Sequence, residues 1–208
     1  MKLKICGMKY PENISEVATL LPDYLGFIFY EKSPRNFNGV IPLLPKSIKK
    51  VGVFLNASKD TIEEKIHLYN LDVLQFHGEE TPEFCQEIQK AHPNLELWKV
   101  FSLNTNFSFE ELFPYEKCVT YFLLDTKGEK KGGNGFPFPW KILKNYTSKK
   151  PFILSGGIGL EEIDALNEVL KMNLPINALD LNSKFEIRPG LKNIKTLKTF
   201  RNRLKNKL

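Results

Sequence analysis

In a chain of 208 residues, few side chains could move a proton or grip an anion at a defined point, and they recur in one setting. Cys6 stands directly after Lys2–Ile5, and Gln75 and His77 bracket the end of the apolar run 71–76. Asp125 follows Tyr121-Phe122-Leu123-Leu124. Ser155-Gly156-Gly157 ends the run 151–154, and Asp180 with Asn182-Ser183 ends Ile176–Leu181. Arg35 lies in the stretch after 24–30. A thiol and a carboxyl can serve as base and acid, each contributing about 10²–10⁴-fold to a proton-transfer reaction. An arginine fork matches a carboxylate. Glycine turns such as Gly156-Gly157 and Gly132-Gly133-Asn134-Gly135 let backbone N–H groups close on an anion.

Each residue also has a plainer reading. A free cysteine is most often a small buried hydrophobe, and Asp after a strand is a common turn residue. Arg35 reads equally as a solvated loop arginine, and His77 as a loop histidine bonded to its neighbours. Position favours chemistry for Cys6 and Asp125, since both directly follow apolar runs. Cys85, on a helical stretch, and Cys118, before a strand, read as structural, and His67 and His92 as surface residues. No His, Cys or Asp set has metal-ligand spacing, so no metal is expected.

The elements that must position these residues alternate. Short apolar runs at Lys2–Ile5, 24–30, 51–55, 71–76, 95–101, 119–124, 151–154 and Ile176–Leu181 read as strands. Between them lie helical spacings, such as Ile14, Val17, Ala18 and Leu21, which share one face. Thr81-Pro82-Glu83 is a helix start, with an N-cap, a first-turn proline and a first-turn acid. Strand then helix, about eight times over, predicts an α/β fold of parallel strands joined by crossovers. The expected architecture is a single-domain (β/α)₈ TIM barrel of eight parallel strands over 1–208, with a doubly wound sheet as the competing fold. Residues 31–46 predict a long loop in place of a good helix, and the helix signal near 109–113 is weak. In a barrel, chemistry sits at the C-terminal strand ends, and phosphate often between loops seven and eight.

Lys and Arg number 30 against 24 Asp and Glu, a net charge of +6. That modest, scattered excess fits solubility. The cluster Lys192, Lys195, Lys198, Lys205 and Lys207 reads as a solvated helix face without interleaved aromatics, so neither nucleic acid nor membrane is an expected partner. Three widely spaced cysteines argue against a disulfide framework. With no signal peptide or spanning segment legible, a cytoplasmic setting is expected.

Lys4-Ile5-Cys6-Gly7-Met8 resembles the opening of phosphoribosylanthranilate isomerases. The likeness continues in order through Gly26-Phe27-Ile28-Phe29, Ser33-Pro34-Arg35, Val51-Gly52-Val53-Phe54, Gln75-Phe76-His77-Gly78 and Leu123-Leu124-Asp125. It then runs through Gly132-Gly133-Asn134-Gly135, Ser155-Gly156-Gly157, Asp180-Leu181-Asn182-Ser183 and Pro189-Gly190-Leu191-Lys192, so it covers essentially the whole chain. The resemblance implies a cofactor-free enzyme of tryptophan biosynthesis. Its reaction is the Amadori rearrangement of N-(5-phosphoribosyl)anthranilate to 1-(2-carboxyphenylamino)-1-deoxyribulose 5-phosphate, carried out by a monomer or homodimer. It implies Asp125 as general acid, Cys6 as general base and Arg35 at the substrate carboxylate. Gln75, His77 and Gly133 would contact substrate, and Gly156, Gly157, Asp180, Asn182 and Ser183 would surround the phosphate. The resting values oppose these roles, since free Asp titrates near ~3.9 and free Cys near ~8.5.

The sequence departs from the family pattern at Asn134, at Pro139 before Trp140, and at Asn193. Other phosphosugar barrels fit less well. An epimerase would need metal-binding His and Asp at strand ends, a histidine-pathway isomerase an Asp where Cys6 stands, and an indole-glycerol-phosphate synthase catalytic lysines, whereas Lys99 lies inside the fifth strand. A barrel that binds RNA or phosphoprotein without catalysis would show salt-sensitive binding instead.

Overall fold

The computed structural model describes residues 1–126 and 138–205. Eight parallel strands close into a barrel in sequence order. They are β1 (Lys2–Ile5), β2 (Tyr24–Phe29), β3 (Lys49–Phe54), β4 (Val73–Phe76), β5 (Glu96–Leu103), β6 (Tyr121–Thr126), β7 (Phe152–Ser155) and β8 (Ile176–Leu181). Closure comes from β1 pairing with β8, with Lys4 opposite Asp180. The doubly wound alternative is thereby excluded, because an open sheet has no such seam.

Around the barrel run α1 (Pro11–Ala18), α2 (Lys59–Tyr69), α3 (Pro82–Ala91), α4 (Ile163–Leu170) and α5 (Ile194–Lys205). Their starts are local chemistry. Ser58 accepts from the Thr61 backbone at 3.2 Å and Thr81 from Phe84 at 3.3 Å, each satisfying an amide that has no partner within the helix. Asn193 accepts from Thr196 at 3.2 Å ahead of α5, a role Asp and Asn fill equally. Helices are missing or tightened where the sequence was weakest: 3₁₀ turns at Phe109–Tyr115 and Phe138–Asn145 follow β5 and β6, and no helix stands between β2 and β3. Pro114 inside the first of these turns removes a helical donor.

Period-two alternation sorts every strand. Outward residues such as Ile5, Phe27, Leu74, Phe122 and Leu179 join the helices in the main apolar core. Inward residues, including Tyr24, Val51, Val73, Trp98, Leu123 and Ile153, fill the barrel itself. Tyr24 meets Trp98 edge-on at 4.9 Å between ring centroids. Emptying such a site, as in Trp98→Ala, costs about 3–5 kcal/mol.

After β8 a short hairpin, β9 (Glu186–Arg188) with β10 (Leu191–Lys192), folds antiparallel across the barrel's C-terminal end. It corrects one expectation. Lys192 does not belong to the solvated face with Lys195 and Lys198 but is only 1% exposed. Its ammonium is drawn inward by Glu186 and Asn182 at 2.8 and 2.7 Å. His92 departs more mildly, being partly shielded and paired with Glu63. Cys85 and Cys118 are buried away from the barrel interior.

Candidate active site

The alternation that fills the barrel also builds its mouth. Continuing inward from Leu123 gives Asp125, from Val73 gives Gln75 and His77, from Ile153 gives Ser155, and from Ala178 gives Asp180 and Asn182. These side chains converge on a cavity of about 230 Å³ lined by Cys6, Arg35, Gln75, His77, Asp125, Ser155, Gly156, Gly157, Asp180, Asn182 and Ser183. Every sequence-predicted site residue therefore lines one cavity except Gly133, which lies outside the described residues. Among the described residues no cluster of three or more His, Cys, Asp or Glu could hold a metal ion.

Below the cavity the charges are paired. Lys4 is fully buried and its Nζ lies 3.0 Å from both Asp180 oxygens. Burial alone would lower the Lys4 ammonium, but Asp180 and Cys6 outweigh it and hold it above the ordinary lysine value. Burial pushes the Asp180 carboxyl up, against the pull of Lys4. It also pushes the Cys6 thiol up, with Lys4 and Lys192 acting in the opposite direction. Gln75 is 2% exposed and its Oε1 has no partner among the described residues. A buried acceptor left open in a cavity wall is costly unless a ligand supplies the donor.

Arg35 arrives in the loop after β2. Its Nε and Nη2 grip Glu186 at 2.6–3.1 Å, while Nη1 takes no part in that clasp. Glu186 also accepts from Lys192 and from the Gly190 amide at 3.0 Å. Burial alone would raise the Glu186 carboxyl, yet Arg35 and Lys192 hold it below its ordinary value.

One end of the cavity is framed by loops seven and eight. Gly156 has φ +91°, and a Cβ there would lie 2.1 Å from the Thr126 carbonyl oxygen, so only glycine fits. Thr126 Oγ1 lies 3.0 and 3.2 Å from the carbonyls of Ser155 and Gly156 and accepts from the buried Trp140 indole at 3.1 Å. Lys184 adds a half-exposed cation to the same wall. Lys99 points elsewhere, with its Nζ 2.7 Å from the Gly78 carbonyl and 3.3 Å from Glu80.

Residues 3–203 match the family described as N-(5'-phosphoribosyl)anthranilate (PRA) isomerase. The chain belongs to the phosphoribosylanthranilate isomerase family. It is an isomerase of tryptophan biosynthesis. An N-(5'-phosphoribosyl)anthranilate isomerase of Parabacteroides distasonis is 45% identical over 207 residues, covering 96% of this chain and 91% of that one. The crystal structure of phosphoribosyl anthranilate isomerase from Thermotoga maritima superposes with a TM-score of 0.82 at 27% identity, covering 99% of both chains. A family structure in complex with reduced 1-(o-carboxyphenylamino)-1-deoxyribulose 5-phosphate gives a TM-score of 0.80 at 26% identity, again over 99% of each chain.

Sequence reasoning overlooked Lys4, Lys184, Glu186 and Lys192. A lysine two positions before Cys6 necessarily shares its face, so Lys4 was within reach of the alternation rule. The other three become site residues only through the hairpin and loop after β8.

Proposed function

We propose that Asp125 and Cys6 are the acid and base of the family's Amadori rearrangement. The observation that carries this is their placement. A carboxyl from β6 and a thiol after β1, three strands apart in the closed ring, face one cavity that also holds Arg35 and the Gly156-Gly157 turn. Asp125 donates a proton to the furanose ring oxygen of N-(5-phosphoribosyl)anthranilate. The C1–O bond breaks and the nitrogen lone pair forms a protonated imine. The Cys6 thiolate then takes the proton from C2, the C2–H electrons move to C1–C2, and the iminium becomes an enolamine. Tautomerisation gives the ketone. The substrate's own nitrogen accepts the electrons, so the step requires no added electron sink.

The remaining wall residues bind. The phosphate lies against the amides of Gly156, Gly157 and Ser183, with Asn182 and Lys184 beside it. The Nη1 edge of Arg35 meets the anthranilate carboxylate, the other edge being held by Glu186. Gln75 Oε1 accepts from a sugar hydroxyl, and His77 stands at the rim. The proposed setting is the cytoplasm, which fits three unpaired cysteines, and one domain carries the whole reaction. Among the described residues no helix is long and apolar enough to cross a membrane.

Isomerisation is followed by the loss of phosphoribosylanthranilate fluorescence, with substrate generated from anthranilate and phosphoribosyl pyrophosphate. In Cys6→Ala and Asp125→Asn, kcat should fall about 10²–10⁴-fold with KM nearly unchanged. Turnover that survives either change in a folded protein moves that role to another residue.

A further inference from the structure

The middle of this barrel is apolar from Tyr24 to Ile153, and the buried Lys4–Asp180 pair stands at its seam. Lys4 precedes Cys6 by two positions, so both side chains enter the barrel from the same face of β1. Asp180 faces Lys4 directly across the pairing of β1 with β8. The neighbouring strand is hollowed out to admit them. A Cβ at Gly26 would lie 2.9 Å from Cys6 Sγ and 3.2 Å from Lys4 Cε, so thiol and lysine stem converge on the space a side chain would occupy. Burying an ammonium costs several kcal/mol unless its partners compensate, and a methionine would fill the same volume without that cost.

We propose that Lys4 is a positioning residue for the isomerisation: its ammonium, anchored by Asp180, stabilises the charged, proton-accepting form of the Cys6 sulfur against the cost of its burial. This rests on the reading of Cys6 as the base. The other charged groups around the sulfur are already engaged. Lys192, from β10, is taken by Asn182 and Glu186, and Arg35, from the loop after β2, by Glu186. Asp180, from β8, opposes a second anion, and His77 and Asp125 line the same cavity. Lys4 has one carboxylate partner and shares the sulfur's own pocket. An opposite charge within about 4–6 Å moves a titration midpoint by about 1–3 pH units.

The test is the pH dependence of Cys6 alkylation by iodoacetamide, read by peptide mass spectrometry so that Cys85 and Cys118 are scored separately. Lys4→Met should move the Cys6 midpoint up by about one pH unit or more, and the acid limb of kcat/KM should move with it. Asp180→Asn keeps the ammonium and removes its counter-charge, so the midpoint should move down. Lys4→Gln, which keeps a polar head for Asp180 and removes the charge, repeats the test if Lys4→Met does not fold, and its midpoint should likewise rise. Lys4→Arg should restore the midpoint of the unaltered protein. An unmoved midpoint in folded Lys4→Met, or a rise in Asp180→Asn, overturns the proposal and leaves Lys4 as a structural partner of Asp180. If the midpoint follows Lys4 while Cys6→Ala still turns over, the charge effect stands, but the reading of Cys6 as base and the role of Lys4 in the reaction both fail.

Discussion

Gln75 separates binding from chemistry at this site. Its Oε1 is buried without a partner and the residue lines the cavity, so Gln75→Leu removes the acceptor proposed for a sugar hydroxyl. KM should rise about 2- to 10-fold, the equivalent of one neutral hydrogen bond, while kcat holds. Steady-state kinetics on the fluorescence assay would show it, and a fall in kcat alone would place Gln75 in the chemistry instead. The Cys6 thiol gives a second expectation. Burial pushes it above its ordinary value despite Lys4 and Lys192, so the rate of Cys6 alkylation by iodoacetamide should climb with pH through neutrality and beyond. A profile already flat below neutrality would contradict that. The site residues legible in the sequence were those at strand ends, because a strand's apolar run announces its own end. Glu186 and Lys192 were opaque because their meaning depends on Arg35, 151 residues from Glu186 in the chain.

Among the elements, Thr126 joins three at once. Its hydroxyl links the end of β6 to the Gly156 turn after β7 and to Trp140 of the following 3₁₀ segment. Thr126→Val preserves shape and leaves the buried indole N–H unpaired, which costs about 1–3 kcal/mol. Loosening the Gly156 turn, where the phosphate is proposed to lie, should raise KM for substrate more than it lowers kcat, measured beside a urea titration. Unchanged stability and KM would show that the link is idle. All eight strands were legible from apolar runs, though their ends slipped by a residue or two. β3 begins at Lys49 in place of 51, since Lys50 is held by the Tyr69 carbonyl at 2.6 Å and Lys49 by Glu96. Such side-chain anchors carry no local signal. In the 3₁₀ turn Phe109–Tyr115, Pro114 interrupts the ladder that a longer helix would need.

For the whole molecule, the hairpin after β8 makes folding and site assembly one event. Glu186 titrates below its ordinary value because Arg35 and Lys192 outweigh its burial. A carboxyl depressed in the folded state contributes stability that is present above the unfolded value, near ~4.3, and lost as pH falls through the folded one. Glu186→Gln should therefore flatten the decline of Tm between pH 5 and pH 3, at the cost of a lower Tm at pH 7. An identical slope would exclude this carboxyl as a source of acid sensitivity. Phosphate ligands should raise Tm as well. A site filled at 100 times its Kd adds about 2.7 kcal/mol, which is roughly 5–10 °C for a domain of this size. The rise should shrink in Lys184→Ala.

The seam between β1 and β8 bears on how the protein is made. Lys4 and Asp180 are 176 residues apart, and translation at about 5–20 residues per second separates their appearance by roughly 10–35 seconds. Throughout that interval Cys6 leads a nascent chain without the cation, carboxylate or walls that define it, and it behaves as an ordinary thiol open to passing oxidants. Catalytic competence arrives in one late step with the eighth strand. Ribosome-bound chains halted before that strand should thus remain inactive however much of the preceding fold has already formed.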